Sequence, residues 1–158
     1  MPIDATKFRA ALGRFASGVT VVTTRGADGV DHGMTATSFV SVSLNPPLIL
    51  ICIGHDASMA GPIATAEYFA VHILGARQEL LSRSFAAEGD RFAGQPVARG
   101  SGSIPVLGES LARLECRVYA RHPAGDHTVV IGEVLDARLG EDDGPLIYYD
   151  RHYGRFQR

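Results

Sequence analysis

Long apolar runs are missing from this chain: no stretch approaches the ~18 residues that a membrane-spanning helix needs, and the segment Met1-Pro2-Ile3-Asp4-Ala5-Thr6-Lys7 lacks the apolar core of a secretory signal. Cysteine is nearly missing too. Cys52 and Cys116 are the only two; they lie far apart in apolar surroundings, with neither a CxxC partner nor the histidine spacing of a zinc site. They read as free thiols in a reducing compartment. Lys7 is the only lysine among 15 Lys and Arg residues, a compositional bias rather than a binding signal. The formal net charge of -2 argues against nucleic acid, which calls for a clustered basic face. No GxSxG elbow is present, nor a Gly-x-Gly-x-x-Gly turn, so a dinucleotide would not be held in the Rossmann manner. These absences lead us to expect a soluble, cytoplasmic protein with no membrane or nucleic-acid partner.

What is there suits one globular domain over residues 1–158, with 46% apolar and 20% charged residues. Phe8, Ala11, Leu12 and Phe15 recur at helical spacing. Asp4 or Thr6 could cap this helix and Gly18 stop it, and its aromatics are expected to face the sheet. Residues 19–24 are apolar or β-branched throughout, and Asp28-Gly29 signals a turn into a strand over 30–37. Residues 39–44 continue as a strand, Asn45-Pro46-Pro47 breaks it, and 48–53 form an apolar run short enough for a buried strand. A short helix over 58–66 capped by Ser58, a strand over 69–74 and a helix over 78–87 follow. Residues 89–105 read as an extended loop, 112–122 and 128–138 as a hairpin, and 145–150 as a last strand. About seven strands with flanking helices indicate a barrel rather than a doubly wound sheet.

Thr35, Ala36, Thr37, Ser38, Ser41 and Ser43 place small or hydroxylated residues just ahead of the apolar run 48–53. A buried strand ordinarily fills such positions with Val, Ile or Phe, because a buried hydroxyl without a partner costs free energy. The run reads as one wall of a site for a flat polar ligand.

Five blocks then resemble one family in order and spacing. They are Gly18-Val19-Thr20-Val21-Val22-Thr23-Thr24, Gly33-Met34-Thr35-Ala36-Thr37-Ser38-Phe39, Ser43-Leu44-Asn45-Pro46-Pro47-Leu48, residues 125–134 beginning Gly125-Asp126-His127, and Pro145-Leu146-Ile147-Tyr148-Tyr149-Asp150-Arg151. From about Phe8 to Phe156 the chain resembles the flavin reductases with an FMN-binding split-barrel fold. The resemblance implies a mainly β fold with flanking helices, a Greek-key-like split β-barrel. It also implies an NAD(P)H-dependent reduction of FMN or FAD, a homodimer, and delivery of reduced flavin to a partner monooxygenase. Hydride transfer between two rings asks little of side chains beyond positioning, which fits a chain without a compact acid-base constellation.

Carried over residue by residue, the resemblance assigns Thr35, Ala36, Thr37 and Ser38 to the flavin ring. Cys52, Ile53, Ser58 and Met59 form the next lining segment, where Ser58 could also offer its hydroxyl and amide to a phosphate. Phe85 and Ala86, with Arg91 and Phe92, resemble the segment that closes over the flavin. Arg91 could meet phosphate, or equally be solvated or paired with Asp90. A lone histidine at a strand start is ordinarily unremarkable in function; the match to the family's Asp-His motif places His127 beside the nicotinamide as the catalytic candidate. His72 reads as structural, and His55 could border the site. Tyr149, Arg151 and Tyr153 belong to an aromatic and cationic tail that either stacks on nucleotide rings or packs into the core. Two alternatives share the fold: an oxidoreductase that retains its flavin, like the pyridoxamine-phosphate oxidases, and a non-catalytic flavin or haem carrier.

Overall fold

The computed structural model describes residues 2–157; Met1 and Arg158, which the single-domain expectation includes, lie outside them. In chain order the elements are α1 (Ala5–Leu12), β1 (Ser17–Gly18), β2 (Thr20–Arg25), β3 (Asp31–Ala36), β4 (Phe39–Leu44), β5 (Pro47–Gly54), α2 (Ala60–Thr65) and β6 (Tyr68–Ile73). There follow α3 (Glu79–Ala86), β7 (Val97–Arg99), β8 (Pro105–Leu107), β9 (Ala112–Ala124), β10 (His127–Leu139), β11 (Leu146–Tyr149) and β12 (His152–Arg155).

Seven strands form one antiparallel sheet in the order β3-β2-β6-β9-β10-β5-β4. Ala36 of β3 and Ile49, Ile51 and Ile53 of β5 meet in one core cluster although their strands lie near opposite edges. The sheet must therefore curl on itself, while β3 and β4 do not pair: the barrel is split. β5 shows the period of a strand with one buried face, Ile49, Ile51 and Ile53 inward and Leu48, Leu50 and Cys52 outward. β2 is buried on both faces, which explains its unbroken run of valine and threonine. Val22 joins the barrel core, and Val21 the cluster under α3 and β11. The buried hydroxyls of Thr20, Thr23 and Thr24 donate to the carbonyls of Ala36, Pro105 and Tyr68, which removes the cost of desolvating them.

Several expectations need correcting. α1 is capped by Asp4, whose carboxylate accepts from the Lys7 N–H at 2.9 Å, but it ends at Gly13 rather than Gly18. None of its residues is buried; Phe8 is 49% and Leu12 57% exposed, and Phe15, beyond the helix, 80%. The helix does not lie on the sheet. Its C-terminal end is held instead, through the Gly13 carbonyl accepting from Asp150 N–H. Ser58 is not a cap: α2 begins at Ala60, Met59 stands at the cap position, and no side chain caps it. The expected loop 89–105 holds β7 and a single 3-10 turn at Ser101–Ser103, pinned because Ser101 donates its N–H and hydroxyl to buried Glu115. β12 went unanticipated and pairs with β11, which in turn pairs with β1. No helix among the described residues is long and apolar enough to cross a membrane.

Candidate functional site

Gly33 in the middle of β3 is buried, and a Cβ there would come within 2.5 Å of the Phe85 ring. Only glycine lets α3 lie so close to the strand. Phe85, fully buried on α3, meets Phe92 edge-on, with centroids 5.1 Å apart. Ser82, one turn earlier and also fully buried, is the junction: its carbonyl accepts from the Thr35 hydroxyl at 2.6 Å, and its hydroxyl lies 2.7 Å from the Tyr153 hydroxyl. Arg83 covers the Tyr153 ring at 4.8 Å. Thr35, Phe85 and Tyr153 are thus brought together through two residues, Gly33 and Ser82, that sequence reasoning did not single out as site residues. A serine at a buried position of an amphipathic helix was the available signal.

Arg91 ties this wall to the next. Its Nε donates to the Ala87 carbonyl at 2.7 Å, and its Nη1 donates to the Gly33 carbonyl at 2.7 Å and to the Ser58 hydroxyl at 2.9 Å. Asp90, the expected competitor for Arg91, accepts from the Phe92 N–H instead. Because Ser58 accepts from Arg91, its own O–H remains free to donate. Arg91 and Ser58 stand at one side of a depression of about 390 Å³ that also touches Val30, His32, Glu88 and Phe92. A guanidinium and a hydroxyl converging there suit a phosphate-bearing ligand.

The other flavin-wall residues have mixed placements. The Ser38 hydroxyl donates to the Cys52 carbonyl at 3.0 Å and accepts from the Cys52 N–H at 3.1 Å, clamping the start of β4 to the end of β5. Thr35 and Ser38 therefore spend their O–H donors on backbone carbonyls, and what they leave for a ligand is main chain and an acceptor lone pair. Ala36, Ile53 and Met59 are buried in the barrel core. Thr37 and Ala86 are exposed and Cys52 is half-buried. Tyr149 and Arg151 fall at the β11–β12 turn, both exposed, with Asp150 and Arg151 at φ 46° and 66°. Tyr149 bonds Arg14, so of the aromatic tail Tyr153 packs inward and Tyr149 does not.

His127 opens β10 opposite Gly54, the last residue of β5. Its Nδ1 lies 2.6 Å from Asp126 Oδ1. That hydrogen bond, with the adjoining charge, holds the Asp126 carboxyl below its ordinary range. Here Gly54 has no side chain to stand against the imidazole; a Cβ would sit 3.5 Å from Nε2. His55 follows, its N–H bonded to the Asp126 carbonyl and its Nε2 3.2 Å from the Thr128 hydroxyl. The Asp126-His127 pair thus sits at the end of β5 that carries Cys52 and Ile53.

Residues 12–157 match the family described as the Flavin reductase like domain. The chain is 43% identical over 98% of its length to the FMN reductase (NADH) SmoA of Agrobacterium fabrum, covering 88% of that protein. It is 40% identical over 94% of its length to the reductase component of 4-hydroxyphenylacetate 3-monooxygenase of Thermus thermophilus, again covering 94% of the relative. Among solved structures, the NADH:FAD oxidoreductase SgcE6 of Streptomyces globisporus, in complex with NAD and FAD fragments, superposes with a TM-score of 0.90 at 38% identity, covering 98% of this chain and 93% of that one. With the split barrel, the clamped β4–β5 end and the Asp126-His127 pair in place, the chain belongs to the flavin reductase like family.

Proposed function

We propose that this chain is an NADH-dependent flavin reductase that passes hydride from the nicotinamide to FMN or FAD and supplies reduced flavin to a partner monooxygenase. The observation that carries the reading is the match of residues 12–157 to the family, joined to an Arg91–Ser58 pair able to take a flavin phosphate. Bound flavin supplies the ring that accepts the hydride. The chain's own work is positioning. The main chain around Thr35 to Ser38 flanks the ring, Cys52 and Ile53 close the floor, and Arg91 and Ser58 hold the phosphate. Phe85 and Ala86 back the cleft, Met59 supports Ser58 from the core, and Tyr153 braces α3. Tyr149 and Arg151, exposed at their turn, lie open to the nucleotide tail. Asp126 holds the His127 ring so that Nε2 can meet the nicotinamide carboxamide.

The subunit is a homodimer in this reading. Val40 of β4, Leu50 of β5 and Ile131 of β10 pair across neighbouring strands and so share the outer face of the sheet. Val40 is 54%, Val42 46% and Leu44 91% exposed. An apolar sheet face of this kind requires a cover, and a two-fold pair is the commonest closed solution. The His127 end of β10 adjoins that face, which sets the flavin sites at or near the interface. Two free thiols suit the cytoplasm, and residues 1–158 act as one domain.

Following NADH oxidation with added FMN, FAD and riboflavin tests the activity. Turnover of free flavin is expected; flavin retained through purification without such turnover would favour the flavin-retaining oxidoreductase, and binding without oxidation the carrier. Light scattering at micromolar concentration should give twice the mass of the 16.8 kDa chain, and a fully active monomer would remove the dimer.

A further inference from the structure

α3 buries two side chains, Phe85 and Ser82. The phenylalanine is an ordinary core contact; the serine is not, because alanine is the better helix former and a fully buried hydroxyl must find a partner. Ser82 is bound on two sides at once. Its carbonyl accepts from the hydroxyl of Thr35, 47 positions earlier on β3, and its own hydroxyl meets that of Tyr153, 71 positions later on β12. Tyr153 is itself fixed. Arg83 stands over its ring, held by two hydrogen bonds to Glu79, and Tyr148 meets the ring edge-on at 5.2 Å. One turn along α3, Phe85 fills the space that Gly33 leaves open. α3 thus touches β3 at two points, Phe85 at Gly33 and Ser82 at Thr35, and Tyr153 holds it at a third. Met34 and Ala36 face the barrel core, which leaves Thr35 as the side chain of this stretch that reaches α3.

We infer that Ser82 is a positioning residue for the flavin: it draws Thr35 against α3 and so sets the main chain of Thr35 to Ser38, while the Tyr153 hydroxyl keeps α3 from turning away. The inference rests on the flavin-reductase reading, in which that main chain flanks the ring. It goes beyond that reading by assigning part of the flavin affinity to a buried hydroxyl pair. With the Ser82–Tyr153 bond cut, α3 is still anchored by Phe85 against Gly33, so the fold persists while the Thr35 contact loosens.

Ser82→Ala and Tyr153→Phe cut the same bond from its two ends. Affinity is read by quenching of FMN and FAD fluorescence without NADH, stability by urea unfolding, and turnover by NADH oxidation. Ser82→Ala should raise the flavin dissociation constant about fivefold, and KM for flavin with it, while kcat at saturating flavin stays within about twofold. Ser82→Cys, whose thiol is a weaker partner, should fall in between. Tyr153→Phe leaves the Ser82 hydroxyl buried without its partner, so it should also lower the urea midpoint. The double variant, with both hydroxyls gone, should regain much of that midpoint yet keep the raised dissociation constant. A purely structural bond would instead let affinity recover with stability. A dissociation constant for Ser82→Ala within about twofold of the parent overturns the inference, as does one that recovers together with the midpoint in the double variant. A parent that binds no flavin sinks the reductase reading as well. A parent that reduces flavin, beside a Ser82→Ala variant that binds it as tightly, sinks the inference alone.

Discussion

Among the histidines, the sheet treats His72, in the middle of β6, and His127, at the first position of β10, most differently. The His72 ring is fully buried; its Nδ1–H donates to the Val21 carbonyl at 3.1 Å, and its Nε2 accepts from the Leu107 N–H at 3.0 Å. That second bond sets the tautomer, because Nε2 can accept only when the proton sits on Nδ1. Both nitrogens are spent, and burial pushes the pKa down to about 4. His127 is half-exposed and spends only Nδ1, on Asp126; among the described residues its Nε2 has no hydrogen-bond partner. One imidazole is a saturated strut that joins β6 to β2 and β8. The other keeps a ring nitrogen in reserve, as a group that works on a ligand must. The contrast extends to their surroundings: the buried hydroxyls of Thr20, Thr23 and Thr24 are closed by main-chain carbonyls, whereas at the rim Arg91 and Ser58 hold one another and retain bonding capacity.

The largest expected effect is in the interior. His72→Leu strands the Leu107 N–H and the Val21 carbonyl in an apolar setting, at a cost of about 3 kcal/mol in unfolding free energy by denaturant titration. A loss below about 0.5 kcal/mol would show that the strut is dispensable and blur the contrast. The pH dependence sharpens it. His72 has a folded pKa near 4 against an ordinary 6.5, so the unfolded chain takes up the proton first. Its contribution is intact above pH 6.5 and is lost as the pH falls toward 4, by roughly 3 kcal/mol in all. His72→Leu should flatten that slope relative to the parent, and an unchanged slope would assign it to other groups.

At the rim the effects should appear in rate and affinity rather than stability. His127→Ala is expected to slow stopped-flow flavin reduction by NADH about tenfold or more, roughly 1.4 kcal/mol in the barrier, with unfolding free energy within about 0.5 kcal/mol of the parent. An unchanged reduction rate at every NADH concentration would make His127 a second structural histidine. Arg91→Ala should raise the flavin dissociation constant about fivefold to tenfold, with Arg91→Lys in between because lysine cannot reproduce the forked donors. The smallest effect is that of Asp126→Asn. The carboxylate is almost fully exposed, so solvent screens its charge; a change of about twofold in the rate of flavin reduction is expected. A rate that does not change would leave Asp126 as a turn residue only.

Much of the architecture was legible because it rests on local pattern. The valine and threonine run of β2, the short apolar run of β5, the break at Asn45-Pro46-Pro47 and the paired lengths of β9 and β10 each declare themselves within a few residues. α3 was readable for the same reason, whereas Phe85 was reached only through the family resemblance and its full burial only through the structure. α1 shows where this fails: Phe8 and Leu12 have the spacing of a buried face, but spacing cannot say whether anything covers it. The site was legible as a set of segments rather than as a geometry.

The sequence by itself determined that this chain folds as a mainly β barrel with flanking helices, because strand period, turn chemistry and the family's blocks are all local properties of the chain. Only the tertiary structure decided which polar groups are spent and which are free. Thr35 finds Ser82 at a separation of 47 residues, Arg91 finds Ser58 at 33 and Gly33 at 58, and His72 finds Leu107 at 35. The partner of a hydroxyl, guanidinium or imidazole is set by how the sheet curls and where α3 docks, and no local pattern carries that information.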